Sequence, residues 1–197
     1  MTGGRRPPVR MRGVSGWKAA GRPRRTRGVP GITARGGLSL HHVEMRMKKS
    51  IGQRQRGIRL LSWNIQWGRG ADGRVDLART RAAIRAAGPL DLICLQEVAS
   101  NFPGLAGGAR EDEPAFFAEA CADFEPVFGA GMDVPDGDGG RARFGNLLLS
   151  RLPVGQVFRH SLPRPPEEGV PSMPRVCLEV IVDGDAGPLR VMNTHLE

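Results

Sequence analysis

Four short stretches place polar side chains at the tips of apolar runs: Ser62-Trp63-Asn64, Gln96-Glu97, Gly145-Asn146 and Asn193-Thr194-His195. Taken singly, each has an ordinary structural explanation, such as a loop cap, a turn or a hydrogen-bonded histidine. Together they offer a specific chemistry. The Glu97 carboxylate and the Asn64 amide carbonyl are hard oxygen donors of the kind Mg²⁺ accepts while keeping several waters. An imidazole such as that of His195 can donate to a phosphoryl oxygen or carry a proton near neutral pH. Arginine adds bidentate recognition of phosphate. Oxygen donors, imidazole and guanidinium suit metal-assisted attack of water on a phosphoester.

Such residues act together only if the elements that carry them converge. Ile58–Asn64 reads as a buried strand, followed by the Gly-rich loop WGRGADGR. The segment from Val75 to Gly88 places Val75, Leu77, Ala78, Ile84 and Ala87 near one helical face. Asp76 is its candidate N-cap, and Gly88-Pro89 its stop. Leu90–Glu97 reads as a second buried strand, and EPAFFAEACADF as a short helix opened by Pro114. FEPVFGAG, FGNLLLSRLPV, GQVFRHSL, RVCLEVIVDG and LRVMNTH follow as strands, the last two as a hairpin turning around Gly184–Pro188. The connecting DVPDGDGGRAR and PRPPEEGVPSMP are rich enough in Pro and Gly to predict irregular structure. The order is β-α-β-α and then several strands, an α/β arrangement without internal repeats. A sheet of these strands alone is expected to leave one face or edge uncovered at Leu189–His195.

Charge divides the 197 residues in two. Residues 1–57 hold 15 Lys and Arg against the single acid Glu44, whereas residues 58–197 hold 14 against 19 acids. The net +9 therefore describes the N-terminal arm, and any steering of a polyanion is expected from the arm. The arm is rich in Arg, Gly and Pro without apolar periodicity, which predicts disorder. A plainer reading makes it a non-native leader, with Met45 or Met47 the functional first residue. Cys94, Cys121 and Cys177 form no C-x-x-C pair, so neither a zinc site nor a disulfide framework is indicated, and a reducing, cytoplasmic compartment fits. No apolar run approaches the roughly 20 residues of a transmembrane helix, and the N-terminus lacks the apolar stretch of a signal peptide.

LLSWNIQWG, DLICLQEV, FGNLLLSRLPV and VMNTHLE, in this order, resemble the successive motifs of the endonuclease/exonuclease/phosphatase superfamily, relatives of DNase I, exonuclease III and neutral sphingomyelinase. The resemblance covers about residues 58–197. It implies a four-layer α/β sandwich, two mixed sheets face to face with helices outside. By the same resemblance, Asn64 is a metal or phosphate contact and Glu97 the main Mg²⁺ ligand, with Mn²⁺ as an alternative ion. Asn146 lines the phosphate site and acts with His195, which matches the histidine stabilising the phosphoryl oxygens. Arg175, in MPRVCLEV, matches a basic position at the start of the next strand, and it is taken with Asn193 of the last motif to bind substrate.

The superfamily pattern continues with a GDFN-type segment and a terminal Asp-His pair that orients and deprotonates water, and this sequence has neither. The chain is accordingly expected to represent the N-terminal part of a longer hydrolase, with impaired activity of its own. His195 does not match the base, and the other histidines, His41, His42 and His160, carry no motif. The implied substrate is a phosphoester: nucleic acid, a phospholipid headgroup or a small phosphate ester. The rival readings are a non-catalytic polyanion-binding protein acting through residues 1–57 and a remnant without function.

Overall fold

The computed structural model describes residues 57–163 and 173–196, together with the backbone of residues 40–45. Eight strands form two sheets. β1 (Leu40–Met45), β2 (Ile58–Asn64), β3 (Leu92–Ser100), β4 (Glu125–Pro135) and β5 (Arg141–Ser150) make a five-stranded mixed sheet in the order β1-β2-β3-β5-β4. β6 (Val154–Ser161), β7 (Val176–Gly184) and β8 (Gly187–Thr194) make an antiparallel three-stranded sheet in that order. Helix α1 (Leu77–Ala86) lies in the crossover that parallel β2 and β3 require. Helix α2 (Glu113–Ala120) follows β3.

Alternation along the strands sorts the core into two layers. Leu61, Ile93, Leu95, Leu147 and Leu149 face the helices and pack with Ile84 of α1 and Phe117 of α2. Leu92, Cys94, Val127 and Leu148 face the other way and meet Leu178, Val180, Val182 and Val191 of the second sheet. Each fully buried leucine contributes roughly 1.5–3 kcal/mol, so the run Leu147-Leu148-Leu149, all at 0 % exposure, rivets β5 between both layers. The observed architecture is thus mixed α/β with two sheets face to face and helices on the outer face of the larger. The opposite face of the smaller sheet carries Phe158 and Met192, both exposed, on either side of Glu179.

Several expectations are met by local chemistry. The Asp76 side chain accepts from the Arg79 N–H at 2.8 Å and caps α1, and Pro114 sits in the first turn of α2 behind the N-cap Asp112. The β7–β8 hairpin pairs Gly184 with Gly187 around Asp185 and Ala186. β8 is an edge strand of its sheet among the described residues.

One expectation is corrected, that of the DVPDGDGGRAR connection, and residues 1–57 contribute one strand: Leu40–Met45 pairs antiparallel with β2, from Leu40 opposite Trp63 to Met45 opposite Ile58. Backbone pairing along an otherwise open strand edge is available to almost any sequence, which is why composition did not reveal it. The rest of the arm lies outside the described residues. DVPDGDGGRAR is regular over most of its length, because Asp133–Pro135 and Arg141–Arg143 extend the β4–β5 pairing. Its turn is built by Asp136, whose carboxylate accepts from the N–H groups of Asp138 and Gly140, and the Arg141 guanidinium bridges to Asp133. Residues 164–172 of the other Pro-rich connection lie outside the described residues.

Candidate active site at the strand tips

Parallel and antiparallel pairing together decide where the polar tips go. β2 and β3 run parallel with Asn64 opposite Gln96, so their C-terminal ends coincide. β5 runs antiparallel to β3, which brings its N-terminal half, with Gly145 and Asn146, to the same end. In the second sheet the N-terminal end of β7 pairs with the C-terminal end of β8, Cys177 opposite Thr194. Arg175, just before β7, and His195, just after β8, therefore stand over the tips of β2 and β3. All six residues singled out in the sequence lie at one end of the two sheets.

A bulge aims the carboxylate. Between Leu95, opposite Leu147, and Val98, opposite Gly145, the register shifts, so Gln96 and Glu97 together face Asn146. Glu97 takes φ +55°, a left-handed conformation that costs a non-glycine residue roughly 1–3 kcal/mol and persists where its surroundings hold it. The glycine before Asn146 is required by the neighbouring strand, since a Cβ at Gly145 would lie 2.0 Å from the carbonyl oxygen of Gly129.

His195 sits at the centre. Its Nε2 is 3.4 Å from Asn64 Nδ2, and its Nδ1 is 3.3 Å from both Glu97 Oε1 and an Arg175 guanidinium nitrogen. Asn64 Oδ1 accepts from the Gln66 N–H at 3.0 Å, which turns the amide so that Nδ2 is the group aimed at the ring. On that assignment Nε2 accepts from Asn64, while Nδ1 faces both the Glu97 carboxylate and the Arg175 guanidinium. The Glu97 and His195 side chains are 14 % and 26 % exposed, so the centre is shielded but reachable. A small cleft lined by Glu97, Phe144, Asn146 and Arg175 opens there.

Beneath the centre lies a fully committed amide layer. Asn193, 2 % exposed, donates from Nδ2 to the carbonyls of Leu95 (3.2 Å) and Leu147 (3.0 Å) and accepts from Gln96 Nε2 at 2.7 Å. Asn146, 4 % exposed, donates to the carbonyls of Val176 and Asn193. These bonds tie the two sheets together under the site. The geometry thus separates the six residues: Asn64, Glu97, Arg175 and His195 meet, whereas Asn193 is a tie between sheets with no amide group left for a ligand. Asn146 is held by both amide hydrogens while still lining the cleft.

The donors match a hard cation in kind. A single carboxylate aimed out by the bulge, an amide oxygen and room for water form a set that Mg²⁺ takes. In number the set is sparse, since no group of three His, Cys, Asp or Glu side chains able to hold a metal occurs among the described residues. The Asn64 carbonyl, moreover, would have to share its lone pairs with the Gln66 N–H.

Sequence reasoning missed Gln96 as the partner of Asn193, and Phe144 in the lining of the cleft. Gln96 stands beside Glu97 in the motif, and its polarity inside an apolar strand was the available signal. It also missed Glu113, whose Oε2 accepts from the Ala99 N–H at 2.9 Å behind the bulge. A glutamate at the start of a helix ordinarily reads as solvated, and only the fold buries this one.

The Endonuclease/Exonuclease/phosphatase family matches residues 61–190. Among solved structures, an endonuclease/exonuclease/phosphatase from Beutenbergia cavernae DSM 12333 is similar, with 34 % sequence identity and a TM-score of 0.58. The similarity covers 72 % of this chain and 39 % of that protein, so the chain spans well under half of the relative's length. No curated protein matches the chain.

Proposed function

The chain belongs to the endonuclease/exonuclease/phosphatase family, and on that premise we propose that its strand tips form the phosphoester-binding centre of a metal-dependent hydrolase. The observation that carries this reading is the convergence of Glu97, Asn64 and Arg175 on His195 from both sheets. Arg175 offers a fixed positive charge and a planar fork for phosphoryl oxygens. His195, oriented by Asn64, is placed to donate to the same oxygens once a phosphate dianion draws a proton onto it. Glu97 and Asn64 would hold Mg²⁺ or Mn²⁺, which when bound supplies charge neutralisation at the phosphoryl group and lowers the pKa of its water. Asn193 and Asn146 are assigned the positioning of the two sheets, and thereby of His195 and Arg175.

In this reading His195 is occupied with Glu97 and Asn64 and does not serve as the base for water. Turnover by this chain is therefore slow, since a general base is worth typically 10²–10⁴-fold. The same reading takes the two sheets as part of a four-layer α/β sandwich, with a further layer over Phe158 and Met192. The three free, buried cysteines fit a reducing, cytoplasmic setting. No helix among the described residues is long and apolar enough to cross a membrane.

Hydrolysis of bis-nitrophenyl phosphate with Mg²⁺, and with the metal chelated, tests the proposal. Slow turnover that requires the metal and disappears in Glu97→Ala supports it. Turnover that survives chelation, or is indifferent to Glu97→Ala, overturns it.

A further inference from the structure

The bulge that aims Glu97 is held from both of its sides. On one side β5 fixes the register, with Val98 opposite Gly145 and Ala99 opposite Phe144. On the other side β2 gives out. Its last pair is Asn64 with Gln96, and the Ile65 N–H closes the ladder on the Gln96 carbonyl at 3.1 Å. From Glu97 onward that edge of β3 has no β2 residue opposite it, and the chain leading into α2 takes the vacated place. Ser100, opposite Arg143 of β5, pairs on its other side with Asp112, and the Asn101 N–H donates to the Glu111 carbonyl at 3.0 Å. The Ala99 N–H, closer to the bulge, is met by a side chain: Glu113 Oε2 accepts from it at 2.9 Å.

Val98, Ala99 and Glu113 are all buried, so water does not compete for that N–H. A buried N–H without an acceptor is costly. Glu97, two residues before Ala99, takes φ +55°, a conformation kept only where its surroundings over-determine it. Without an acceptor beside Ala99, the N–H finds a new partner only if the extra residue of the bulge moves along the strand. That movement returns Glu97 to ordinary extended backbone and re-aims its side chain.

We propose that Glu113 is the positioning residue for Glu97: by accepting from the Ala99 N–H on the edge that β2 vacates, it locks the bulge and holds the Glu97 carboxylate towards His195. The bearing of this lock on hydrolysis rests on the reading of Glu97 as a metal ligand, whereas its geometry does not. An amide oxygen serves the lock as well as a carboxyl oxygen, so the role requires reach and an acceptor rather than charge.

Three substitutions separate these requirements. Glu113→Leu keeps the bulk and removes the acceptor, Glu113→Asp draws it back by one methylene, and Glu113→Gln keeps it in place. Asp76→Ala, which weakens the fold at the start of α1, controls for loss of stability alone. Backbone chemical shifts and couplings of the metal-free 197-residue chain read the φ of Glu97, and hydrogen exchange reads the Ala99 amide. Positive φ should persist in the parent, in Glu113→Gln and in Asp76→Ala. It should be lost in Glu113→Leu and Glu113→Asp, with the Ala99 amide exchanging about tenfold faster or more. Mn²⁺ binding, followed by water proton relaxation, should weaken about 5- to 100-fold in the same two variants, because the carboxylate must be returned to its strained pose. Glu113→Gln should bind Mn²⁺ like the parent. If Glu113→Leu does not fold, Glu113→Asp decides. Positive φ that survives both variants, or a Glu113→Gln that behaves like Glu113→Leu, overturns the positioning role and leaves the phosphoester centre standing. An extended Glu97 or a freely exchanging Ala99 amide in the parent overturns it as well. Mn²⁺ affinity that ignores a lost φ, or no Mn²⁺ binding by the parent, instead removes Glu97 as the metal ligand and leaves the lock.

Discussion

Glu113→Gln should make the protein more stable at alkaline pH and flatten its response to pH. Glu113 is 1 % exposed, and burial raises its carboxyl from the ordinary 4.5 to about 8. The Ala99 N–H opposes that rise by favouring the carboxylate, and the neighbouring Glu111 and Asp112 charges add to it. The folded state therefore binds a proton that the unfolded state has lost between pH 4.5 and about 8. Stability contributed by the neutral carboxyl is present below pH 4.5 and is lost as pH rises towards 8. At 1.36 kcal/mol per pH unit the loss amounts to roughly 5 kcal/mol, a large share of the 5–15 kcal/mol typical of a domain. Glutamine keeps an oxygen to accept from Ala99 and has no charge to bury. Urea unfolding of both proteins at intervals from pH 5 to 8.5 gives the difference directly. Glu113→Gln should gain on the parent by several kcal/mol across this range, most of it between pH 5 and 8. Parallel curves would show that Glu113 is solvated in the folded state and would refute the burial argument.

Asn193→Ala should cost about 2–4 kcal/mol in urea unfolding, because it leaves Gln96 Nε2 and the carbonyls of Leu95 and Leu147 without their shared partner. Gly145→Ala should destabilise by about 1–3 kcal/mol or more, since its Cβ meets the Gly129 carbonyl, and hydrogen exchange should rise along the β4–β5 pairing. Asp76→Ala should lose about 1 kcal/mol through the uncapped end of α1, whereas Asp76→Asn should stay close to the parent.

The strands and helices were legible wherever short-range chemistry decides them. Ile58–Asn64 has the bounds of β2, and Asp76 and Pro114 mark the starts of α1 and α2. The β4–β5 extension was not legible, because Gly and Pro signal a turn without telling how close to it pairing continues. The site was legible as four polar tips, but their separation into an outer centre and an inner tie was not. Asn193 lies inside β8 and His195 just beyond its end, and only the packing of the second sheet on the first buries one and leaves the other partly open.

His195 is the meeting point of Glu97, Asn64 and Arg175. Nitrogen NMR of the histidine rings during titration with Mg²⁺ and inorganic phosphate tests this most directly, with His160, bonded to Glu179 on the far face of the second sheet, as the internal control. The prediction is a saturable shift at His195 that requires both additions, spares His160 and is largely lost in Glu97→Gln. A His195 resonance that stays fixed under both, or moves equally in Glu97→Gln, would contradict the account.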